Sequence, residues 1–314
     1  MIQFINQEFD LSKINPNALF VCALGYEERS YYLLNLMKQR LCSENIIAFV
    51  FQSFLSKTDK PQRANGEETH NITVIEAVYE ECEKFLAKIS ELVDQRVGNN
   101  PIEIHFDYSY MPRRWYCKLP GLLSEILKPS DNAFFWYSEG SYPDDYTQYP
   151  RAGIQSFVPF SGTASLRTES KRTHIIALSY DIVRTEGTLS ILDPEAFITC
   201  NAYDSRTREI HENVLEINES IISRAILSVS LHMDDFFFML SKLCELANEF
   251  LSIGDVILVP DGPKPLIFAI SLVPELLNKP GVTCLHIMRN KREDKPLDVL
   301  PNQKVIGFAL SKDN

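Results

Sequence analysis

Basic charge is scarce in this 314-residue chain: lysine and arginine number 31 against 42 aspartates and glutamates, a net charge of −11. So acidic a molecule is a poor non-specific binder of nucleic acid, although a local basic site could still grip phosphate. Long apolar runs are missing too. No segment approaches the roughly 18 uninterrupted apolar residues of a membrane-spanning helix, so no membrane association is expected. The opening MIQFINQEFDLSKINPN has no basic stretch followed by an apolar one, and so no recognisable secretion signal. The seven cysteines, an odd number, contain no CxxC pair, and most sit in apolar runs such as LFVCALG and VTCLHIM. A free thiol there behaves as a small buried hydrophobe, which points to a reducing cytoplasm. The six histidines include no HxH or HExxH spacing, so neither a metal nor a cofactor is expected. GxxxxGK[ST] and GxSxG are both absent, which leaves Walker-type ATP hydrolysis and an α/β-hydrolase elbow without support.

What is present is an ordinary globular composition, 45% hydrophobic and 23% charged, over about two domains' length. Short apolar runs alternate with helical patterns from end to end, as in a mostly parallel α/β sheet. NALFVCALG (17–25), NIIAFVFQS (45–53), PIEIHFDYS (101–109) and NAFFWYSEG (132–140) read as strands. Helical spacing covers 28–41 and about 78–97, and MPRRWYCKLPGLLSEIL follows with Pro120 expected to kink or split its helix. SKTDKPQRANGEET reads as a surface loop. Residues 146–172 lack a period and read as a connection. THIIALSYD (173–181), AFITCNAY, GDVILVPDG (254–262), VTCLHIM and KVIGFAL then read as strands, with helices over about 206–224, 234–252 and KPLIFAISLVPELL.

The two halves resemble each other. ALGYE (23–27) matches ALSYD (177–181) 154 residues later, and MPR (111–113) matches GPK (262–264) at an offset of 151. NAFFWYS and VTCLHIM each follow about 20 residues further on. These matches in one order predict two similar Rossmann-like units, each a mostly parallel sheet flanked by helices: 1–145 and 173–314, joined by 146–172.

In open α/β sheets, ligands bind beyond the carboxyl ends of the strands. Four loops there carry unusual polar residues. In GYEERS (25–30), Gly25 permits a tight turn onto a helix start, an anion site, and Arg29 is a ligand contact or else a solvated or ion-paired helix residue. Glu27 and Glu28 would repel phosphate unless they serve the helix N-terminus. In DYSYMPRRW (107–115), Arg113 and Arg114 fall in a first helical turn, where cations oppose the dipole and ask for a partner. That partner is an acid, Asp107 or Glu139, or an anionic ligand. His105 reads as a satisfied strand histidine or an acid–base group. Glu139, in SEGSYP (138–143), is a turn carboxylate, a general base or a ribose-hydroxyl acceptor. PDGPKP (260–265) runs a buried strand into a glycine turn, which is either purely structural or a site where Gly262 and Lys264 let amides and an ammonium approach an anion together.

A strand–GPK–helix element after a repeated Rossmann-like unit resembles the CRISPR-associated Rossmann-fold (CARF/SAVED-like) nucleotide-sensing domains of prokaryotic antiviral systems. The resemblance implies that Gly262 and Lys264, with the Gly25 loop, hold a cyclic nucleotide between two units. It also implies a protein partner or homo-oligomer to carry the effector activity. The expectation is therefore a sensor or accessory subunit for a nucleotide or other small anion. The alternatives are an enzyme cleaving or transferring a nucleotide glycosidic bond, with Asp107 or Glu139 as its carboxylate, and a scaffold whose cleft is vestigial.

Overall fold

In a computed structural model, residues 2–51, 71–96, 101–141, 153–162, 171–204, 208–289 and 299–312 are described. The chain divides into two units, Met1–Asp144 with Pro296–Asn314, and Asp145–Lys295.

The first unit contains β1 (Ile2–Gln7), β2 (Leu19–Leu24), β3 (Ile46–Phe51), β4 (Thr73–Ala77), β5 (Glu103–Asp107), β6 (Asn132–Ser141) and the last strand, β13 (Leu300–Lys312). Its helices are α1 (Tyr32–Met37), α2 (Cys82–Asp94) and α3 (Arg113–Ile126). The sheet order is β1-β13-β6-β5-β2-β3-β4. Strands β2 to β6 are mutually parallel, while β13 runs antiparallel to β6 and β1 antiparallel to β13. LFVCAL in β2 and IIAFVF in β3 are buried at every residue, as continuous apolar strands covered on both faces must be. Amphipathic α2 buries Cys82, Phe85, Ile89, Leu92 and Val93, one stripe at helical spacing.

The second unit contains β7 (Ile154–Gly162), β8 (Arg172–Ala177), β9 (Ala196–Tyr203), β10 (Leu227–His232), β11 (Asp255–Val259) and β12 (Val282–Arg289). Its helices are α4 (Ile182–Leu192), α5 (Arg208–Ile217), α6 (Glu219–Ile222), α7 (Phe236–Leu251) and α8 (Lys264–Leu277). The sheet order is β10-β9-β8-β11-β12-β7, all parallel except β7, which is antiparallel to β12. Helix α8 is buried on every side from Pro265 to Pro274, and accordingly carries almost no charge.

The fold is thus α/β, with two Rossmann-like units of one plan. In each, the first parallel strand is central, the second and third extend to one side, and the fourth and fifth to the other. ALGYE spans the end of β2 as ALSYD spans the end of β8, and Pro112 and Pro263 are the N-caps of α3 and α8. NAFFWYS and VTCLHIM are the fifth parallel strands, β6 and β12.

Three expectations are corrected. The C-terminal KVIGFAL strand lies in the first unit, not in a second unit spanning 173–314. It fits there because Gly307 faces Trp136: a Cβ at 307 would stand 2.2 Å from the indole. Residues 154–162 form β7 of the second sheet, not a connection; 142–152 and 163–170 lie outside the described residues. Helix α3 continues through Pro120 as one helix and is not split there, although Pro120 has no N–H to donate to the Tyr116 carbonyl. Strands β1, β4 and β10 went unread in the sequence. The surface loop expected at 56–69 lies outside the described residues. No helix among the described residues is long and apolar enough to cross a membrane.

Candidate functional site

Each sheet changes direction beside its first parallel strand, and ligands of such sheets sit beyond the strand ends at that switch point. In the first unit the switch point lies between β2 and β5, which brings Gly25–Glu27 beside Tyr108–Tyr110. It is filled by protein. A Cβ on Gly25 would lie 1.9 Å from the Tyr110 ring, which packs edge-on to Tyr26 at 5.6 Å and tilts against Phe51 at 6.2 Å. Gly25 is therefore glycine to admit Tyr110; its amide donates to Ser30 Oγ.

The other polar groups at this edge are largely engaged. Asp107 Oδ1 accepts from the Ser109 amide at 2.9 Å and from Ser109 Oγ at 2.5 Å. Ser109 Oγ accepts in turn from the Ser138 amide at 2.7 Å, tying the end of β5 to β6. Arg29 is buried: Nε donates to Glu27 Oε2 at 2.5 Å and Nη1 to the Tyr137 hydroxyl at 3.0 Å, while its amide donates to the Val299 carbonyl. Arg113 and Arg114 open α3 as half-buried residues, and the Arg114 carbonyl accepts from Cys82 Sγ. His105 stacks on Phe134 and Trp136, takes the indole N–H of Trp136 on Nδ1 and pairs with Glu103 through Nε2. Burial holds its pKa below the ordinary value against the pull of Glu103, as suits a neutral strand histidine.

Glu139 belongs to β6 and not to a turn. Opposite it β13 bulges, with Pro301 facing Gly140 and Val305 facing Ser138. The bulge brings Asn302 Nδ2 to 3.0 Å and Lys304 Nζ to 3.3 Å from the buried Glu139 carboxylate. Gln303 between them takes φ 66°, a left-handed conformation costly for a residue with a Cβ, and its carbonyl accepts from the Tyr32 hydroxyl.

In the second unit the switch point lies between β8 and β11 and is polar. Asp181 caps α4, its Oδ1 accepting from the Arg184 amide at 3.1 Å. One turn on, the Arg184 guanidinium spreads over three partners: Asp261 Oδ2 at 2.6 Å, Asp181 Oδ2 at 2.8 Å and Ser179 Oγ at 3.1 Å. Ser179 Oγ also donates to Asp261 Oδ2, and Asn218 Nδ2 holds the Ser179 carbonyl at 2.8 Å. Asp181, Arg184 and Asp261 are all at most 6% exposed. Burial pulls the Arg184 pKa down, but Asp261 and Asp181 outweigh it and hold the guanidinium firmly charged. Gly262 follows at φ 80°, where a Cβ would meet the Leu178 carbonyl at 2.7 Å, and Lys264 opens α8.

Sequence reasoning reached Gly262 and Lys264 but missed Ser179, Asp181, Arg184, Asp261, Asn302 and Lys304. Ser179, Asp181 and Asp261 lay inside strings already singled out, ALSYD and PDGPKP. Arg184 carried a signal too: a cation three residues after a capping aspartate, on a helix whose next buried position is Thr185. No protein-family model matches the chain, and a search of curated proteins finds no match.

Proposed function

We propose that this protein is a binding subunit for a nucleotide or a similar small anion, held at the β8/β11 switch point of its second unit. The observation that carries this reading is the Arg184 cluster. A buried arginine fixes two carboxylates and a serine at the one place where an open parallel sheet receives ligands, next to a glycine turn and a lysine-led helix. Lys264 and the first amides of α8 supply the anion end, and the aspartate pair supplies acceptors for hydroxyls. The first unit, its equivalent position filled by Tyr110, contributes structure. The resemblance to CRISPR-associated Rossmann-fold sensors extends the reading to an accessory role in a defence assembly.

Thermal unfolding against a panel of mono-, di- and cyclic nucleotides tests it. Ligand at about 100 times its dissociation constant stabilises by roughly 2.7 kcal/mol. Lys264→Ala should abolish the shift and Arg113→Ala should retain it. No shift with any nucleotide removes the reading.

A second reading is favoured by the β13 bulge, which spends backbone strain to set Lys304 and Asn302 on Glu139. There Glu139 is the carboxylate of a glycosidic-bond enzyme, steadied by Lys304. Product analysis separates the two: Glu139→Gln abolishes turnover under the enzyme reading and leaves ligand binding intact under the sensor reading. Asp107, whose Oδ1 serves Ser109, fits a structural role better.

A further inference from the structure

We propose that two copies of this chain pair through the free edge of β10, antiparallel about a twofold axis at Val229, joining their second sheets into one. Among the described residues β10 has a single strand neighbour, β9, and Leu227, Ser228, Ser230 and His232 are exposed. A bare edge strand is a template for another strand, and proteins blunt such edges with charge or proline. At the opposite edge of this sheet β7 carries Pro159, and at one edge of the first sheet β4 carries Glu76. In a chain of net charge −11, β10 reads LSVSLH and carries neither.

The ladder fixes which groups face outward. The Met233 amide donates to the Tyr203 carbonyl on the β9 side, as the register of the two strands requires. Amides alternate along a strand, so those of Ser228, Ser230 and His232, with their carbonyls, turn to the free edge. An antiparallel pair centred on Val229 uses that set on both copies. The sequence is a palindrome about the same residue: Val229 meets Val229, Ser228 meets Ser230 and Leu227 meets Leu231. Each pair joins residues of one parity, so the apolar face of one strand continues into that of the other. Every pair is uncharged, so the seam escapes the self-repulsion of the acidic surface.

The other edges fail this self-match. β4 centred on Ile75 sets Val74 against Glu76, and β1 centred on Phe4 sets Gln3 against Ile5. Antiparallel doubling also brings the start of one β10, with Ile226 56% exposed, beside the end of the other. That end leads into α7, whose Phe237 and Phe238 are 54% and 50% exposed. Apolar side chains left to solvent at both ends of one strand find a use in such a seam.

Sedimentation equilibrium of the full chain tests the dimer. Wild-type protein should weigh twice 36.0 kDa. Val229→Lys and Val229→Glu each set a charge against its own copy and should sediment as single chains, and an equal mixture of the two should recover the doubled mass. That recovery also shows both variants folded. Leu227→Glu, at an exposed position, should weaken association at least tenfold with the thermal transition retained. A single-chain mass for wild type at every soluble concentration overturns the proposal and leaves the edge to a different protein. A doubled mass surviving in both Val229 variants overturns it as well.

Discussion

The Tyr110 ring occupies the space that a Cβ on Gly25 would need, 1.9 Å from it. The corresponding pair in the second unit, Ser179 and Asp261, is joined instead by a hydrogen bond at 3.1 Å. One backbone plan therefore carries two opposite solutions at its switch point. The first unit packs the crevice with an aromatic ring, whereas the second lines it with charge held by Arg184. Apolar filling stabilises a unit, but buried ion clusters are weak contributors to stability, and their retention fits a role beyond folding. The asymmetry is why the proposal places a ligand in the second unit and not in the first.

Gly25 and Tyr110 should show strong coupling. Gly25→Ala forces the ring aside and should cost about 1–3 kcal/mol by overpacking. Tyr110→Ala removes a half-buried aromatic and should cost about as much. The double variant should be more stable than the sum of the two losses predicts, because the added methyl then enters vacated space. Urea unfolding of the four proteins measures the coupling; strictly additive losses would show that the ring does not depend on the glycine.

Arg184→Met should be among the most damaging single changes in the second unit. It leaves Asp181 and Asp261 buried beside each other without their cation, at about 3–5 kcal/mol. Arg184→Lys keeps the charge but cannot fork to three partners, so its loss should be smaller but measurable. Equal losses for the two would mean that charge plays no part. Arg184→Met with wild-type stability would mean that the cluster does not form.

Most of the strand–helix alternation was legible because buried parallel strands announce themselves: β2 and β3 are unbroken apolar runs, and β11 is one after Asp255. Edge strands do not. β4 and β10 are largely exposed and intersperse polar residues among their apolar ones, so no apolar run marks them. The placement of β13 depends on Gly307 meeting Trp136 from 171 positions away, information carried by fit and not by local pattern. The candidate site was half legible for a similar reason. Gly262 and Lys264 lie in a short distinctive string, whereas Arg184 joins Asp261 from 77 residues away. Glu139 was readable as a candidate, but its partners Asn302 and Lys304 come from a bulge that periodicity cannot reveal.

The bulge gives its own prediction. Gln303 sits at φ 66°, where a Cβ costs about 1 kcal/mol, and glycine is at ease there. Gln303→Gly should therefore leave stability unchanged or raise it by up to about 1 kcal/mol, since glycine's unfolded-state entropy offsets part of the gain. Gln303→Pro, which cannot adopt a positive φ, should detach Lys304 from Glu139 and destabilise the first unit. Thermal scans of the two variants decide the matter, and a glycine variant clearly less stable than wild type would show that the left-handed turn is not strained.

His174 contributes a loss of stability in the second unit as pH falls. It lies in the middle of the sheet, paired in register with Phe197 and Ile257, and only 2% exposed. Burial, helped by the charge of Arg172, lowers its pKa to about 4 from an ordinary 6.5. Above the unfolded value both states are neutral and its contribution is fully present. Between 6.5 and about 4 the unfolded chain binds a proton that folded His174 refuses, so stability falls by up to about 1.4 kcal/mol per pH unit. Below about 4 both states are charged and the loss levels off at roughly 3 kcal/mol. His105, also lowered by burial, adds a loss of the same sign in the first unit. Urea unfolding from about pH 7.5 down to about pH 4.5 should show this decline, and His174→Phe should flatten the second unit's share of it. An imidazole resonance of His174 titrating near 6.5 in the folded protein would rule this out, because protonation would then cost the folded sheet nothing.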